Sequence, residues 1–450
     1  MRFVRSAGMR AAVVWCLFFA GASNADDAPT ALPLNAVYRL ALSHAESLRI
    51  AALDVDIARE NLRKAKSVLI PSLSGFASHS TYMDTDDTLS QPDRYTGWGA
   101  RLDQRFTLNG RELIAYGMAK DRIREAAFNR DALTATYLYQ VSRAYYDIMR
   151  ARQAVTIQKA EHARLITHRN AVTARVALGD VTKPEIYRAD AEVSGAKSAV
   201  IRSENDLMLA RHALTRLVAV PWPYTVSHPS LKDPVMPEAD MDTLIRTAFD
   251  NRCELKALAY AVKTVQNQIR IDKSAYWPSL GLSAVYTDFS QSPDAFARAP
   301  DGHDDSDSVR VGIELTVPLY QGGLRSAQVR ETRARTQQAR LAIIEQKKQI
   351  RLDVASAFLN LITQVNAFAA LKEQVRFAKA NYAATVEQFS YGLVDSVAVM
   401  DSSTLLATSE TELLNAQYTY HTAVIGLDWA TGQLLAKVKQ AVYPEKESAP

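Results

Sequence analysis

Two periodicities alternate along the chain. Apolar residues spaced three and four apart, among them Leu40, Ala41, Leu48, Ala51, Ala52 and Val55, run from Leu34 to Leu69 and predict a helix that Pro71 stops. A second helical pattern fills 111–176 without a proline and with Gly117 as its one glycine. At 1.5 Å per residue, those ~66 residues make a rod about 100 Å long. Gly179 breaks the rod, Pro184 suits a helix restart, and a further helix is predicted over 183–218. Between the first helix and the rod the period falls to two. Trp98, Ala100, Leu102 and Phe106 alternate with Gly99, Arg101, Asp103 and Arg105, giving a β-hairpin over about 72–107.

The same order then repeats. A helix is predicted from Asp242 to Ala275 and a hairpin over about 279–319. A rod over about 323–389, a break at Gly392 and a helix over 396–430 follow. In the second hairpin Val309, Val311, Ile313, Leu315, Val317 and Leu319 alternate with Arg310, Gly312, Glu314, Thr316 and Pro318. Ile70-Pro71-Ser72-Leu73 matches Trp277-Pro278-Ser279-Leu280, and Gly110, Gly179 and Leu214 match Gly323, Gly392 and Leu427. The two offsets, ~207 and ~213, imply one insertion of about six residues, placed in the polar run Ser292–Ser308, within a duplicated chain. The units are residues 26–220 and 241–432, joined by a proline-rich linker over 221–240 and followed by a C-terminal tail over 433–450.

Rods this long call for coiled-coil packing. The strands are about ten residues long, enough to cross a bilayer when tilted, and one alternating face is apolar while the other carries charge. Four strands per chain are too few to close a water-holding barrel, and open edges cannot face lipid. Other copies of the chain must complete the sheet. The alternative is a soluble hairpin with one face on a core.

Residues 1–25 read as a secretory signal peptide, with Arg2, Arg5 and Arg10 ahead of the apolar run Ala11–Ala20. Cys16 lies inside that run without a lipobox, so Cys253 is the one mature cysteine and no intrachain disulfide is expected. The chain has 53 Lys and Arg against 49 Asp and Glu. Without the three leader arginines the balance is about +1, which gives nucleic-acid binding no support. The basic run from Arg325 to Arg351 reads as a helix face in a coiled coil.

The order of these marks resembles the TolC family of outer-membrane efflux proteins. The paired Ile70-Pro71-Ser72-Leu73 and Trp277-Pro278-Ser279-Leu280 starts carry the likeness, with the Asn109-Gly110-Arg111 and Pro318–Gly323 exits and the breaks Leu178-Gly179-Asp180 and Tyr391-Gly392-Leu393. The resemblance implies an α+β membrane fold: a homotrimer with a 12-stranded barrel in outer-membrane lipid, above an antiparallel coiled-coil tube crossing the periplasm. It implies a passive exit duct for small molecules or proteins, without enzymatic activity or cofactor. An inner-membrane pump or ABC exporter would drive it through a periplasmic adaptor at the helix tips, around Gly179, Asp180, Tyr391, Gly392 and Leu393.

The family's gate carries two aspartates, six and nine residues after the second tip glycine. Here Asp401 holds the later position, Ala398 the earlier, and Asp395 lies earlier in the turn. Glu185 stands where the family has an acid tied to an aromatic of the other tip, and Phe389 holds that aromatic position without a hydroxyl. A ring of Asp401 copies would favour cations and let bound cations block the passage. The competing reading of Asp401, Asp395 and Glu185 is ordinary helix N-terminal or solvated charge.

His162 and His168, six apart on a helix, face different sides and suggest no metal site. Ser194-Gly195-Ala196-Lys197 fits a Ser-x-x-Lys pattern without companion motifs. A soluble periplasmic coiled-coil adaptor or scaffold would share the leader and the rods, but its strands would not present a continuous lipid-facing band.

Overall fold

A computed structural model describes residues 31–83, 94–219, 224–227, 233–292 and 304–443. The signal segment, residues 221–223 and 228–232 of the proline-rich linker and the last seven residues lie outside them. The elements run β1 (Ala31–Leu32), α1 (Leu34–His44), α2 (Glu46–Ser67), β2 (Ser72–Thr81), β3 (Arg94–Thr107), α3 (Arg111–Leu178), α4 (Lys183–Val218) and β4 (Thr225–Val226). The second unit continues with α5 (Met241–Asn251), α6 (Cys253–Ser274), β5 (Ser279–Ser292), β6 (Asp304–Thr316), α7 (Leu324–Ser390), α8 (Ser396–Ala430) and α9 (Leu434–Val442).

The first helix of each unit is broken where the hydrophobic spacing predicts continuity. Ala45 and Arg252 have ψ of 116° and 118°, so each closes one helix and opens the next. The periodicity runs through both breaks because the residues on either side still face the core. Val37, Tyr38, Ala41 and Ala45 are buried before α2 begins, and Ala248 is buried before α6 begins. Packing sets the bend. The segment expected as a tail contains α9, whose Leu434, Val438 and Val442, four apart, are all buried. They join α1, α3, α4 and the β1–β4 pair in the largest apolar cluster, at the middle of the molecule.

The sheet has the order β2-β3-β5-β6, antiparallel throughout, with β2 and β6 at open edges. Its register brings Leu73, Leu102, Ala284 and Val311 into one row and Ser74, Arg101, Val285 and Arg310 into an adjacent row on the other face. Ser72 pairs with Asp103, and its counterpart Ser279 pairs with Thr316. The first members are separated by 207 positions and the second by 213, so the six extra residues lie between the paired ends of the second hairpin.

Each strand continues into a rod through a short junction. Leu108 N–H donates to the Pro278 carbonyl at 3.0 Å and Asn109 Nδ2 to Ser274 Oγ at 2.8 Å, which ties the two units together at this level. Pro71 and Pro278 stand just before β2 and β5, while Gly110 and Gly323, both in the left-handed region, open α3 and α7. These rods have 68 and 67 residues. Near the sheet α2, α3, α6 and α7 lie side by side in the order of the strands above them, and toward the far end α3 packs on α4 and α7 on α8.

Candidate functional site

Two regions combine exposed function-bearing groups with a specific geometry: the tips of the helix pairs and the faces of the sheet.

At the tips, both turns have the same backbone. Gly179 (φ 83°) closes α3, with its N–H on Val176 O and the next N–H on Arg175 O. Gly392 (φ 74°) follows α7, with its N–H on Phe389 O and Leu393 N–H on Gln388 O. Only glycine holds this conformation without strain. An extended residue then starts the returning helix, Thr182 in the first unit and Asp395 in the second. Asp395 accepts from Ala398 N–H at 2.9 Å and so caps α8, an ordinary use for an acid at that position.

The two tips are joined at Phe389 by Arg175, which the sequence did not single out, and by His168, for which it suggested no role at the tip. Arg175 Nη1 donates to the Phe389 carbonyl at 2.7 Å, and the Arg175 guanidinium lies over the Phe389 ring, 4.8 Å from its centre. His168, buried, meets the same ring edge-on at 4.9 Å, and its Nε2 lies 2.8 Å from Ser396 Oγ. Burial pushes the His168 imidazole below its ordinary pKa, against the opposing effect of the Ser396 hydrogen bond. Val172, Phe389 and Val399 make the apolar cluster around which the tip closes. One contact further along, the buried Glu161 carboxylate accepts from Arg164 and, at 2.7 Å, from Ser403 Oγ.

Phe389 is therefore held by Arg175 and His168. Glu185 is half-buried near the start of α4, and its Oε2 has no hydrogen-bond partner among the described residues. Asp401 is exposed on α8, on the face it shares with Thr404, Leu405 and Thr408 and away from buried Val399, Ser402, Ser403 and Leu406. Asp180, Gly179, Tyr391, Gly392 and Leu393 are all exposed at the turns, with Tyr391 at 73% and Leu393 at 74%. His168 was open to discovery from spacing alone, since Leu165, His168 and Val172 recur at three and four. Arg175 gave no such signal.

In the sheet, the apolar face is bare. Val309, Val311 and Ile313 are 72–74% exposed, and Leu73, Trp98, Leu102 and Leu315 are exposed beside them. The opposite face carries Arg101, Asp103, Arg105, Arg310 and Glu314 among serines and glycines. Among the described residues no group of His, Cys, Asp or Glu side chains is arranged to hold a metal ion.

A family model described as "Outer membrane efflux protein" matches residues 37–220 and 244–433. The chain is 23% identical to the outer membrane protein TolC of Salmonella enteritidis over 407 residues, covering 88% of this chain and 81% of that protein. It is 24% identical to the outer membrane efflux protein BepC of Brucella suis over 387 residues, covering 85% and 81%. With the proteases secretion protein PrtF of Dickeya chrysanthemi it shares 21% identity over 448 residues, covering 93% and 92%. Among solved structures, the Campylobacter jejuni CmeC outer membrane channel superposes with a TM-score of 0.80 at 16% identity, covering 92% of this chain and 90% of that one. A CusC structure superposes with a TM-score of 0.79 at 17% identity, covering 89% and 92%.

Proposed function

The chain belongs to the outer membrane efflux protein family, non-enzymatic transport ducts of the outer membrane with a helical periplasmic part, and on that footing we propose that three copies join edge to edge into one 12-stranded barrel above a helical tunnel. The observation that carries this reading is the open sheet. Leaving Val309, Val311, Ile313 and Leu315 in water forgoes about 1.5–3 kcal/mol for each side chain, which lipid would recover. The bare hydrogen-bonding edges of β2 and β6 then require partners, because unpaired backbone is not tolerated in hydrocarbon. The charged and serine-rich face becomes the wall of a water-filled passage.

The duct exports small molecules or proteins. An inner-membrane pump or ABC exporter supplies the energy, and a periplasmic adaptor docks on the exposed turns around Gly179, Asp180, Tyr391, Gly392 and Leu393. Asp401, on the free face of α8, forms the narrow ring of the gate in threefold repetition. Ala398 removes a second ring, and Asp395 is engaged in capping its own helix. The Arg175–Phe389 contact holds the two tips of one chain together where the family's acid–aromatic latch would act, and Glu185, in the first turn of α4, is a further acid of the tip.

Detergent extraction tests the assembly: the particle should have the mass of three chains, and a monodisperse single chain stable in detergent-free buffer overturns it. In planar bilayers Asp401→Ala should weaken divalent-cation block of the current at least tenfold, and unchanged block removes Asp401 from the gate.

A further inference from the structure

The junction between sheet and rods carries a charge surplus that the duct reading does not use. Within about three helical turns of the strand ends lie residues 59–66, 111–120, 270–273 and 325–333. Together they hold eleven Lys or Arg against four Asp or Glu. All four acids are already engaged by the protein. Glu60 pairs with Arg63, Glu112 accepts from the Thr107 backbone and hydroxyl, Asp272 accepts from Thr332 and Gln268, and Glu331 pairs with Arg335. The cations Lys64, Lys66, Arg111, Lys273, Arg330 and Arg333 are exposed and make no ion pair among the described residues.

Their depth is set by chain geometry. Arg111 is the first residue of α3, and Lys66 and Lys273 stand six residues before the first residues of β2 and β5. At 1.5 Å per helical residue they lie within about 10 Å of the strand ends, the depth of a headgroup layer below a hydrocarbon core of about 30 Å. Lys64 sits about 12 Å from the start of β2, and Arg330 and Arg333 about 9 and 14 Å along α7 from its first residue, with long side chains that extend toward the interface. Tyr276, Trp277 and Tyr320, 50–85% exposed, stand at the same level, where amphipathic rings mark a membrane–water boundary. In sequence, 84–93, between β2 and β3, holds four aspartates and no Lys or Arg.

We propose that this junction is a binding collar for anionic phospholipid headgroups of the periplasmic leaflet, with Lys66, Arg111 and Lys273 as its inner contacts and the exposed aromatics seated at the headgroup level beside them. The proposal rests on the sheet being in the membrane. Headgroup phosphates supply the counter-charge that the chain lacks, and each cation near an anionic surface adds to the attraction. The collar gives the duct a fixed height in the bilayer and a preference for acidic lipid around it.

The test uses the full-length protein, delipidated in neutral detergent and titrated with fluorescent phosphatidylglycerol or phosphatidylcholine. Phosphatidylglycerol should bind at least tenfold more tightly at low salt, with the preference collapsing at 0.5 M NaCl. Lys66→Gln/Arg111→Gln/Lys273→Gln should reduce the preference below threefold. Lys347→Gln/Lys348→Gln, which removes charge further down α7, should leave it intact. Equal binding of the two lipids, equal loss in both variants, or displacement of lipid by soluble peptidoglycan fragments overturns the collar. Where the triple variant loses helical circular dichroism, single Lys273→Gln replaces it, with an expected two- to threefold loss of preference, and an unchanged preference overturns the collar. Insertion of the wild-type protein into purely neutral vesicles is the separate readout of the membrane reading: its failure refutes that reading, whereas insertion without headgroup preference refutes only the collar.

Discussion

The two tip turns have one backbone and two different chemistries. Each closes a rod of nearly equal length with a left-handed glycine and restarts in an extended residue. At an offset of 213, however, Arg175 corresponds to Gln388, Val176 to Phe389, His168 to Asn381 and Thr182 to Asp395. The first tip supplies the cation and imidazole, and the second supplies the ring, the carbonyl and the capped helix start that receive them. The breaks in the first helices diverge in the same way. The Ala45 side chain contributes only apolar packing. Arg252 donates to Asp353 Oδ2 at 3.1 Å and lies over the Trp429 ring, 4.6 Å from its centre. The two units thus share the conformations that glycine and packing dictate, while their side chains differ as complementary halves of one contact.

The largest expected effect is at the breaks. Arg252→Ala makes the second break resemble the first but leaves Asp353 without its cation, and should destabilise the chain by about 3 kcal/mol in chemical denaturation. At the tips, Arg175→Gln removes a charged hydrogen bond and a cation–π contact. It should cost about 2 kcal/mol and raise the open fraction of the channel in planar bilayers, whereas its counterpart Gln388→Ala should leave both unchanged.

The glycines sharpen the comparison. Gly179→Ala should cost about 1 kcal/mol, from its left-handed backbone alone, since nothing lies within 4 Å of the added carbon. Gly392→Ala should cost more in the same melting experiment, because its Cβ would stand 3.1 Å from Arg175 Nη2.

The smallest effect is the pH response. Burial lowers the His168 pKa in the folded chain, so its neutral form adds no instability above the ordinary histidine value. As pH falls through that value toward the folded one, the unfolded chain takes up the proton first and stability is lost. A difference in the acid-side slope of the melting temperature between wild type and His168→Asn measures this. Parallel slopes would deny His168 a role, and Asn381, its counterpart, should show no slope on substitution by Gln.

Rods, hairpins and tip turns were readable in the sequence because each rests on local chemistry: uninterrupted helical spacing, alternation and paired glycines. The bends at Ala45 and Arg252 were not, since spacing runs through them and the bend comes from distant packing. Helix α9 escaped notice because nine residues, two of them lysines, are too short a run for a clear helical period, a weak signal until the central cluster receives Leu434, Val438 and Val442. At the tip, the family likeness pointed to Asp395, Asp401, Glu185 and Phe389. The contact that joins the tips depends on Arg175, which pattern alone does not distinguish from any other solvated cation on a rod.

The matched rods act as a ruler. At 1.5 Å per residue, the one-residue difference between α3 and α7 leaves the two tips level to within about 2 Å over some 100 Å. Deleting two turns from one rod alone would drop its tip about 10 Å out of plane and pull Arg175 off Phe389. Deleting the same two turns from both would shorten the duct and keep its mouth flat. Length in such a chain is therefore inherited jointly, and viable changes in span must arrive as paired insertions or deletions about 213 positions apart.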